Sequence, residues 1–531
     1  MEVSVAGFAL SVVLVGLLSC SWSVLNWVWL RPKRLERLLR QQGFQGNSYK
    51  FFYGDVKESS AMLREAKSKP MKLSTCHDIA PRVIPFVHRT VNIHGEHNNA
   101  GKNSFTWLGP KPKVNITNPE DLKDIFTKYD DFPKLAPIYK KLLAAGFATD
   151  EGEKWARHRK IINPAFHMEK LKSMLPAFHQ SCNGMIKEWE SLVSKEGSCE
   201  LDVWPSLQSL SDDVLCRTSF GSSYEEGKYI FELLKEQAVL SIKALQSVNI
   251  PGWRFVPTKM NKKMMLIDKE IKCLLKGIIN KREEAIKAGE PSKDDLLSLL
   301  LESNLKEIHE HRNNKNFGLS IEEVIEDCKL FYFAGQETTA VLLVWTMILL
   351  GQYQNWQTCA REEVLQVFGS NKPDFDGLTH LKIVTMILRE VLRLYPAAVV
   401  ISRNTYKETQ LGKLSLPAGV EISLPILLVH HDEELWGDDA KEFKPERFAE
   451  GVSKVTKGQL SYFPFGGGPR VCIGQNFAMI ETKLALSLIL QHFTFELSPS
   501  YAHAPSSIAS LQPQYGAHLI LHQRTLIGNE F

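Results

Sequence analysis

The sequence predicts a mainly α-helical domain with a small β-sheet, held behind one N-terminal transmembrane helix. Three observations lead there: an uncharged run at the start, apolar residues at helical spacing through most of the rest, and strand patterns that are short and few. By length, 531 residues suggest three or four domains at roughly 150 residues each. No internal repeat, low-complexity tract or Pro/Gly/Ser linker divides them after about residue 45, so one large body is expected. At 44% hydrophobic and 23% charged residues, the composition is that of a folded protein, not a disordered one. The net charge is only +4, and no basic stripe carries interleaved aromatics, which excludes nucleic acid as a partner.

From Val3 to Leu30 no residue is charged. A membrane-spanning helix needs about 20 predominantly apolar residues. A cleaved secretory signal has a shorter apolar region with positive charges ahead of it. Here only Glu2 precedes the run, while Arg31, Lys33, Arg34, Arg37 and Arg40 follow it. Positive residues stay on the cytoplasmic side, and Trp22, Trp27 and Trp29 crowd the charged end, where indoles favour the membrane boundary. The expected organisation is an anchor over 3–30, a basic amphipathic membrane-surface linker over 31–46, and a cytosolic domain over 47–531. The sequon Asn115-Ile116-Thr117 should be unmodified, because it never enters the lumen.

Helical periodicity is clearest over 171–192, 230–242, 264–288 and 381–394, and the polar stretch 306–316 reads as a surface loop. Residues 414–417 and 420–424, joined through Ala418-Gly419, read as a β-hairpin. Ser320-Ile321-Glu322-Glu323 is a capping box opening a helix that should reach about Gln354. Between Leu330 and Leu350 it carries a single charge, Glu337, so hydropathy alone would allow a second span. The polar cluster Gln336-Glu337-Thr338-Thr339 near its middle argues instead for the interior of a large soluble domain.

The nine cysteines are scattered and never form a C-x-x-C pair. That excludes a zinc ribbon, a thioredoxin motif and covalent C-x-x-C-H haem attachment, and it suits a reducing compartment. One cysteine stands apart. Glycines crowd one side of Cys472, and an amphipathic helix begins on the other. A thiolate just before a helix is favoured by the macrodipole and by free backbone N–H groups. Gly468 and Gly474 permit unusual backbone angles and close approach of a flat ligand, and Arg470 is placed to pair with a ligand carboxylate. The set suits a thiolate metal ligand.

Phe465-x-x-Gly468-x-Arg470-x-Cys472-x-Gly474 resembles in full the haem-binding loop of the cytochrome P-450 superfamily. Four further elements resemble that family in order: Trp155-x-x-x-Arg159, Ala334-Gly335-Gln336-Glu337-Thr338-Thr339, Glu390-x-x-Arg393, and Pro445-Glu446-Arg447-Phe448. Segments such as Leu392-Arg393-Leu394-Tyr395-Pro396 further resemble the plant group containing secologanin synthase and triterpenoid oxidases. The resemblance implies a single haem-thiolate catalytic domain with haem b, in which Cys472 is the axial ligand and Phe465 packs beside it. It assigns Trp155, Arg159, Arg403 and Arg470 to the propionates, with Gly474 in the cofactor loop, and leaves Lys154, Arg157 and Lys160 as a solvated face. It makes Glu337 and Thr338 a proton-delivery pair beside a distortion of the helix at Ala334-Gly335. Glu390, Arg393 and Arg447 are expected to serve folding and haem retention. Two departures stand out: Ala397-Ala398 where relatives often have a second proline, and the polar stretch 92–101.

The expected activity is therefore oxygen insertion into a small hydrophobic or glycosylated terpenoid, such as an iridoid, a triterpenoid or a gibberellin-like acid. The chain has no nucleotide-binding motif of its own. Dioxygen is the co-substrate, and electrons from NADPH would come through NADPH–cytochrome P-450 reductase in the same endoplasmic reticulum membrane, which this chain crosses once. Alternatives are an isomerase or dehydratase without oxygen activation, against which Thr338 argues, a carbon–carbon cleavage as in secologanin synthase, and a tethered haem carrier.

Overall fold

Ser320 opens a 32-residue helix, Ile321–Gln352, through the reciprocal bonds of a capping box: Ser320 Oγ accepts the Glu323 N–H at 3.2 Å, and Glu323 Oε2 accepts the Ser320 N–H at 3.0 Å. In the computed structural model, which describes residues 5–95, 102–134, 146–193, 197–221, 224–245, 257–289, 295–311 and 317–524, this helix is an interior element. Every residue from Thr339 to Gly351 is buried, so the apolar run serves a protein core and not a lipid phase. Helices Val203–Phe220, Tyr224–Leu245, Lys382–Leu394 and Gln475–His492 pack against it. The chain divides into two compact units, Met1–Ser68 with Ile79–Leu135 and Val400–Leu428, and Lys69–Asp78 with Ala136–Val399 and Val429–Phe531.

The first unit holds the apolar N-terminus and a five-stranded mixed sheet. Its strand order is Gln45–Gly46, Ser104–Leu108, Lys111–Asn115, Glu421–Leu424, Ile401–Asn404. The expected hairpin over 414–424 does not form. Leu414–Leu416 pairs with Thr409–Leu411, while Glu421–Leu424 runs parallel to Lys111–Asn115 and antiparallel to Ile401–Asn404. All four residues of Glu421–Leu424 are buried, which suits a central strand and not a half-exposed hairpin arm. Gly419, at φ +88°, turns the chain between the two, and its N–H donates to Thr405 O at 2.6 Å. Asn115 of the sequon sits in the third strand with no exposed surface.

Helix runs from Val5 through the π-turn Asn26–Leu30 into Arg31–Gln41. Phe8, Leu10, Val15, Leu17 and Leu18 lie more than half exposed. Nothing among the described residues covers this apolar stretch. From Trp27 onward the chain is packed: Val28 is buried and its carbonyl accepts the Tyr49 hydroxyl at 2.5 Å, while Trp29 lies against Tyr49. The basic segment is an amphipathic helix whose Leu35 and Leu39 are buried in the first unit, with Glu36 held between Lys33 and Arg40.

The second unit is mainly helical. Helices Met168–Val193 and Tyr224–Leu245 contain two of the predicted segments, and Lys259–Lys287 and Lys382–Leu394 match the other two but for one end residue each. Ser198–Asp202, His518–Gln523 and Phe493–Leu497 form a three-stranded antiparallel sheet. The stretch 306–316 is not a loop throughout, because helix Leu296–Glu310 takes its first five residues; 312–316 lie outside the described residues. Of the stretch 92–101, helix Pro85–Gly95 takes the start, and 96–101 lie outside the described residues.

Candidate active site

Phe465 to Gly474 wind into a tight loop ahead of helix Gln475–His492. Gly466 at φ +76° and Gly468 at φ +63° are left-handed, a region that L side chains adopt only under strain. The Cys472 N–H donates to Phe465 O at 2.9 Å and closes the loop. The Cys472 side chain is exposed, in no disulfide, three residues ahead of the first helical residue. Gly474 has φ −85°, a conformation open to any residue, and a Cβ there would meet Cys472 Sγ at an ordinary contact distance of 3.9 Å.

Two arginines serve the loop, one from another helix and one within it. Arg159, one turn after Trp155 on helix Gly152–Ile162, donates to Val471 O at 2.9 Å. Burial pushes its guanidinium below the ordinary range, Cys472 opposes that shift, and Arg470 adds to it. Arg470 is buried, lies 4.1 Å over the Trp155 ring and donates to Asp150 O at 2.7 Å. It also pairs with Glu151, an acceptor that sequence reasoning missed. Arg403 is buried in the first unit, where its guanidinium lies 5.8 Å over Phe126.

Lys154 and Lys160 are exposed and Arg157 is partly exposed, as a solvated face requires, and each has an acidic partner. Lys154 and Arg157 pair with Glu323, and Lys160 pairs with Glu307. Between them His158 is buried, with Nδ1 at 2.9 Å from Asp327 Oδ2 and Nε2 at 3.3 Å from Glu323 Oε1. These bonds fasten helix Gly152–Ile162 to helix Ile321–Gln352. The signal for His158 was present in the sequence: it lies at i+3 from Trp155, on the buried side of that helix.

The helix stays α through Ala334-Gly335, so the expected distortion does not interrupt it. Gly335 has a packing role instead: a Cβ there would stand 3.1 Å from two Leu215 methyl carbons, so the glycine permits close approach of helix Val203–Phe220. The Thr338 hydroxyl donates to Ala334 O at 2.7 Å, the bond back to the preceding turn common to helical threonines. At Glu337 burial raises the carboxyl above its usual range, with Ser510 and Lys235 acting against that shift. After helix Lys382–Leu394, Ala397 O accepts the Leu511 N–H at 3.0 Å, tying the variant dipeptide to the strand beyond Ser510.

Glu390 and Arg393 have no exposed side-chain surface and pair bidentately, Nε to Oε2 and Nη2 to Oε1, each at 2.8 Å. Arg393 also donates to the carbonyls of His430 at 2.8 Å, Glu442 at 3.2 Å and Ala440. Arg447 approaches Glu390 Oε1 at 3.7 Å and donates to Trp436 O and Asp439 O, each at 3.0 Å.

A helical domain with one exposed thiol at the head of a helix and flanking guanidinia has the donor set of a haem-thiolate oxidoreductase: an anionic sulfur for iron and cations for carboxylates. Residues 88–520 match the family model described as cytochrome P-450, and the chain belongs to that family. It is similar to cytochrome P-450 CYP72A219 of Panax ginseng, 61% identical over 504 residues, 94% of this chain and 95% of that one. It is 54% identical over 508 residues to 7-deoxyloganic acid hydroxylase of Catharanthus roseus, covering 94% of this chain and 96% of the relative. Among solved structures, retinoic acid-bound cyanobacterial CYP120A1 superposes with TM-score 0.73 at 25% identity, over 90% of this chain and 99% of that one. The protein is a cytochrome P-450 monooxygenase, and the family implies haem-thiolate iron, a redox partner and a hydrophobic substrate.

Proposed function

We propose that this chain is a membrane-anchored monooxygenase that hydroxylates or further oxidises a terpenoid-type plant metabolite, an iridoid, triterpenoid or gibberellin-like compound, with electrons passed from NADPH by a reductase of the same endoplasmic reticulum membrane. The observation that carries the chemistry is the exposed Cys472 thiol at the head of helix Gln475–His492, with Arg159 and Arg470 beside it. Similarity to 7-deoxyloganic acid hydroxylase supports the terpenoid class. Cys472 would hold the haem iron, Phe465 would limit access to the sulfur, and Trp155, Arg159, Arg403 and Arg470 would meet the propionates. The bound haem supplies the oxidising power that inserts one atom of dioxygen into a C–H bond. The test is co-expression with a plant reductase, a screen of iridoid, triterpenoid and gibberellin-type acids, and product mass as readout. A product 16 Da heavier supports hydroxylation; no oxygenated product from any class would overturn the terpenoid assignment.

Glu337 and Thr338 would bring protons to the site. Burial keeps the Glu337 carboxyl in its acid form to a higher pH than a solvated carboxyl, the direction that favours proton donation. Thr338 Oγ1 spends its own hydrogen on Ala334 O and so keeps the capacity to accept from water. Thr338→Ala should lower product formed per NADPH and raise peroxide release, both read from one turnover assay. An unchanged ratio would reduce Thr338 to a helix-bonded side chain.

The anchor is proposed over 3–30, the surface linker over 31–46 and the catalytic domain over 47–531. Trp27, Val28 and Trp29 already contact the first unit, so the useful truncation stops before them. Deleting residues 1–24 should move the protein from the membrane pellet to the high-salt supernatant after ultracentrifugation. Full retention in the pellet would show that another surface carries the attachment.

A further inference from the structure

Five side chains form one continuous hydrogen-bonded row through the interior of the second unit. Tyr353 OH lies 2.9 Å from His77 Nε2, and Tyr395 OH lies 2.8 Å from His77 Nδ1. Tyr395 OH also stands 3.3 Å from His503 Nε2, and His503 Nδ1 stands 2.9 Å from Tyr501 OH. Trp345 stacks on the centre of the row, its ring 4.4 Å from Tyr395 with the planes 19° apart, and its Nε1–H donates to Leu511 O at 2.7 Å. Trp345 and Tyr395 are fully buried, while the terminal Tyr353 and Tyr501 are half-buried. Packing alone would call for apolar residues here. Two histidines and three phenols in alternation are what a path for protons and electrons requires.

The row has only two internal polarities. Burial, with His503 and Arg393 nearby, holds His77 down to about 3, so its ring is neutral and donates from one nitrogen while accepting at the other. Tyr395 owns a single hydrogen. If it donates to His77, then His77 donates to Tyr353 and His503 donates to Tyr395; the other polarity reverses every bond. In both cases the Tyr395 proton already points at an unprotonated ring nitrogen, so loss of an electron from the buried phenol and transfer of its proton can occur together. The same burial holds the phenol protonated in the resting state.

Trp345 also lies on the helix that carries Thr338. Seven residues separate them, ~10.5 Å along the axis and within ~20° of the same helix face.

We propose that Trp345, Tyr395 and the flanking histidines are a redox relay that drains oxidising equivalents from the oxygen-activating site when no substrate consumes them. The relay rests on the haem-thiolate assignment of Cys472. The oxidant is of the peroxide class, reacting at the haem site. In each step Tyr395 passes one electron to Trp345 and on to the oxidant, and its phenolic proton moves to the histidine nitrogen it faces, leaving a neutral phenoxyl. A thiol or ascorbate outside returns one electron by way of half-buried Tyr353 or Tyr501, and the histidine returns the proton to Tyr395. Two such steps, with two protons from solvent, reduce one hydrogen peroxide to two waters.

The experiment uses full-length, substrate-free protein whose carbon-monoxide spectrum has already shown thiolate-bound haem, so that its failure is separate from failure of the Cys472 assignment. The protein is mixed with meta-chloroperbenzoic acid, freeze-quenched and examined by electron paramagnetic resonance, with haem bleaching followed in parallel. Tyr395→Phe keeps the ring and its stacking and removes only the hydroxyl; Trp345→Phe keeps an aromatic ring and raises the oxidation potential. The expected result is a phenoxyl signal in the parent protein that Tyr395→Phe loses and Trp345→Phe diminishes, with haem bleaching severalfold faster in both. A structural role alone would shift melting temperature without changing radical yield. Equal radical signals and equal bleaching rates in the parent and both variants would overturn the relay.

Discussion

Exchanging Cys472 for serine is expected to abolish the thiolate signature of the reduced carbon-monoxide spectrum and, with it, all substrate oxidation. A serine hydroxyl stays protonated at neutral pH and cannot supply the anionic sulfur that drives O–O cleavage. The loop itself should survive. Its closing bond uses the backbone N–H of residue 472, and its left-handed positions are glycines 466 and 468, none of which the exchange touches. The Cys472 side chain is exposed, so the stability of haem-free protein should change by no more than about 0.5 kcal/mol. Cys182 and Cys328 are no substitutes for Cys472: both are buried, and burial drives their thiols far from ionisation. The measurements are the difference spectrum, haem content and turnover with reductase. A thiolate spectrum in the serine variant would place the ligand elsewhere.

What was legible in the sequence is what depends on neighbours in sequence. The capping box at Ser320, the uncharged run before Arg31 and the glycines around Cys472 each act within a few residues, and their local geometry follows from their order. Partners distant in sequence were not legible. Glu421–Leu424 alternates like a hairpin arm, yet which strand it joins depends on Lys111–Asn115, more than 300 residues earlier. The resemblance implied a distortion of the helix at Ala334-Gly335, and only the approach of Leu215 shows that the missing Cβ of Gly335 serves packing. Arg470 was expected to await a ligand carboxylate, but Glu151 engages it within the chain. Arg403 could be assigned by its distance from Pro396 alone, and that distance carries no information about its Phe126 neighbour. The likeness to known haem loops supplied a chemistry; the second set of partners for each charge came from the fold.

Glu390→Ala is expected to yield little folded, haem-loaded protein, and the geometry says why the loss should exceed that of an ordinary ion pair. An isolated i, i+3 pair on a helix surface contributes only a few tenths of a kcal/mol. Glu390 is instead, among the described residues, the sole side-chain carboxylate bonded to Arg393, with both charges at zero exposure. It also accepts the Lys444 N–H at 3.0 Å and faces Arg447 at 3.7 Å. Alanine therefore leaves one fully buried guanidinium without its anion, a backbone N–H without its acceptor and a second arginine without its nearest buried counter-charge. Stranding a buried charge costs about 3–5 kcal/mol, against a total stability on the order of 5–15 kcal/mol. The bonds from Arg393 to the carbonyls of His430 and Ala440 would remain, so the damage should be loss of cooperativity around 430–447 as well as loss of stability. Glu390→Gln tests the electrostatic part separately: it keeps the volume and one acceptor oxygen but removes the charge, and should fall between the parent and alanine. The checks are the urea midpoint of unfolding and haem bound per chain. An alanine variant with parental midpoint and full haem content would mean that Arg393 is held by backbone carbonyls alone.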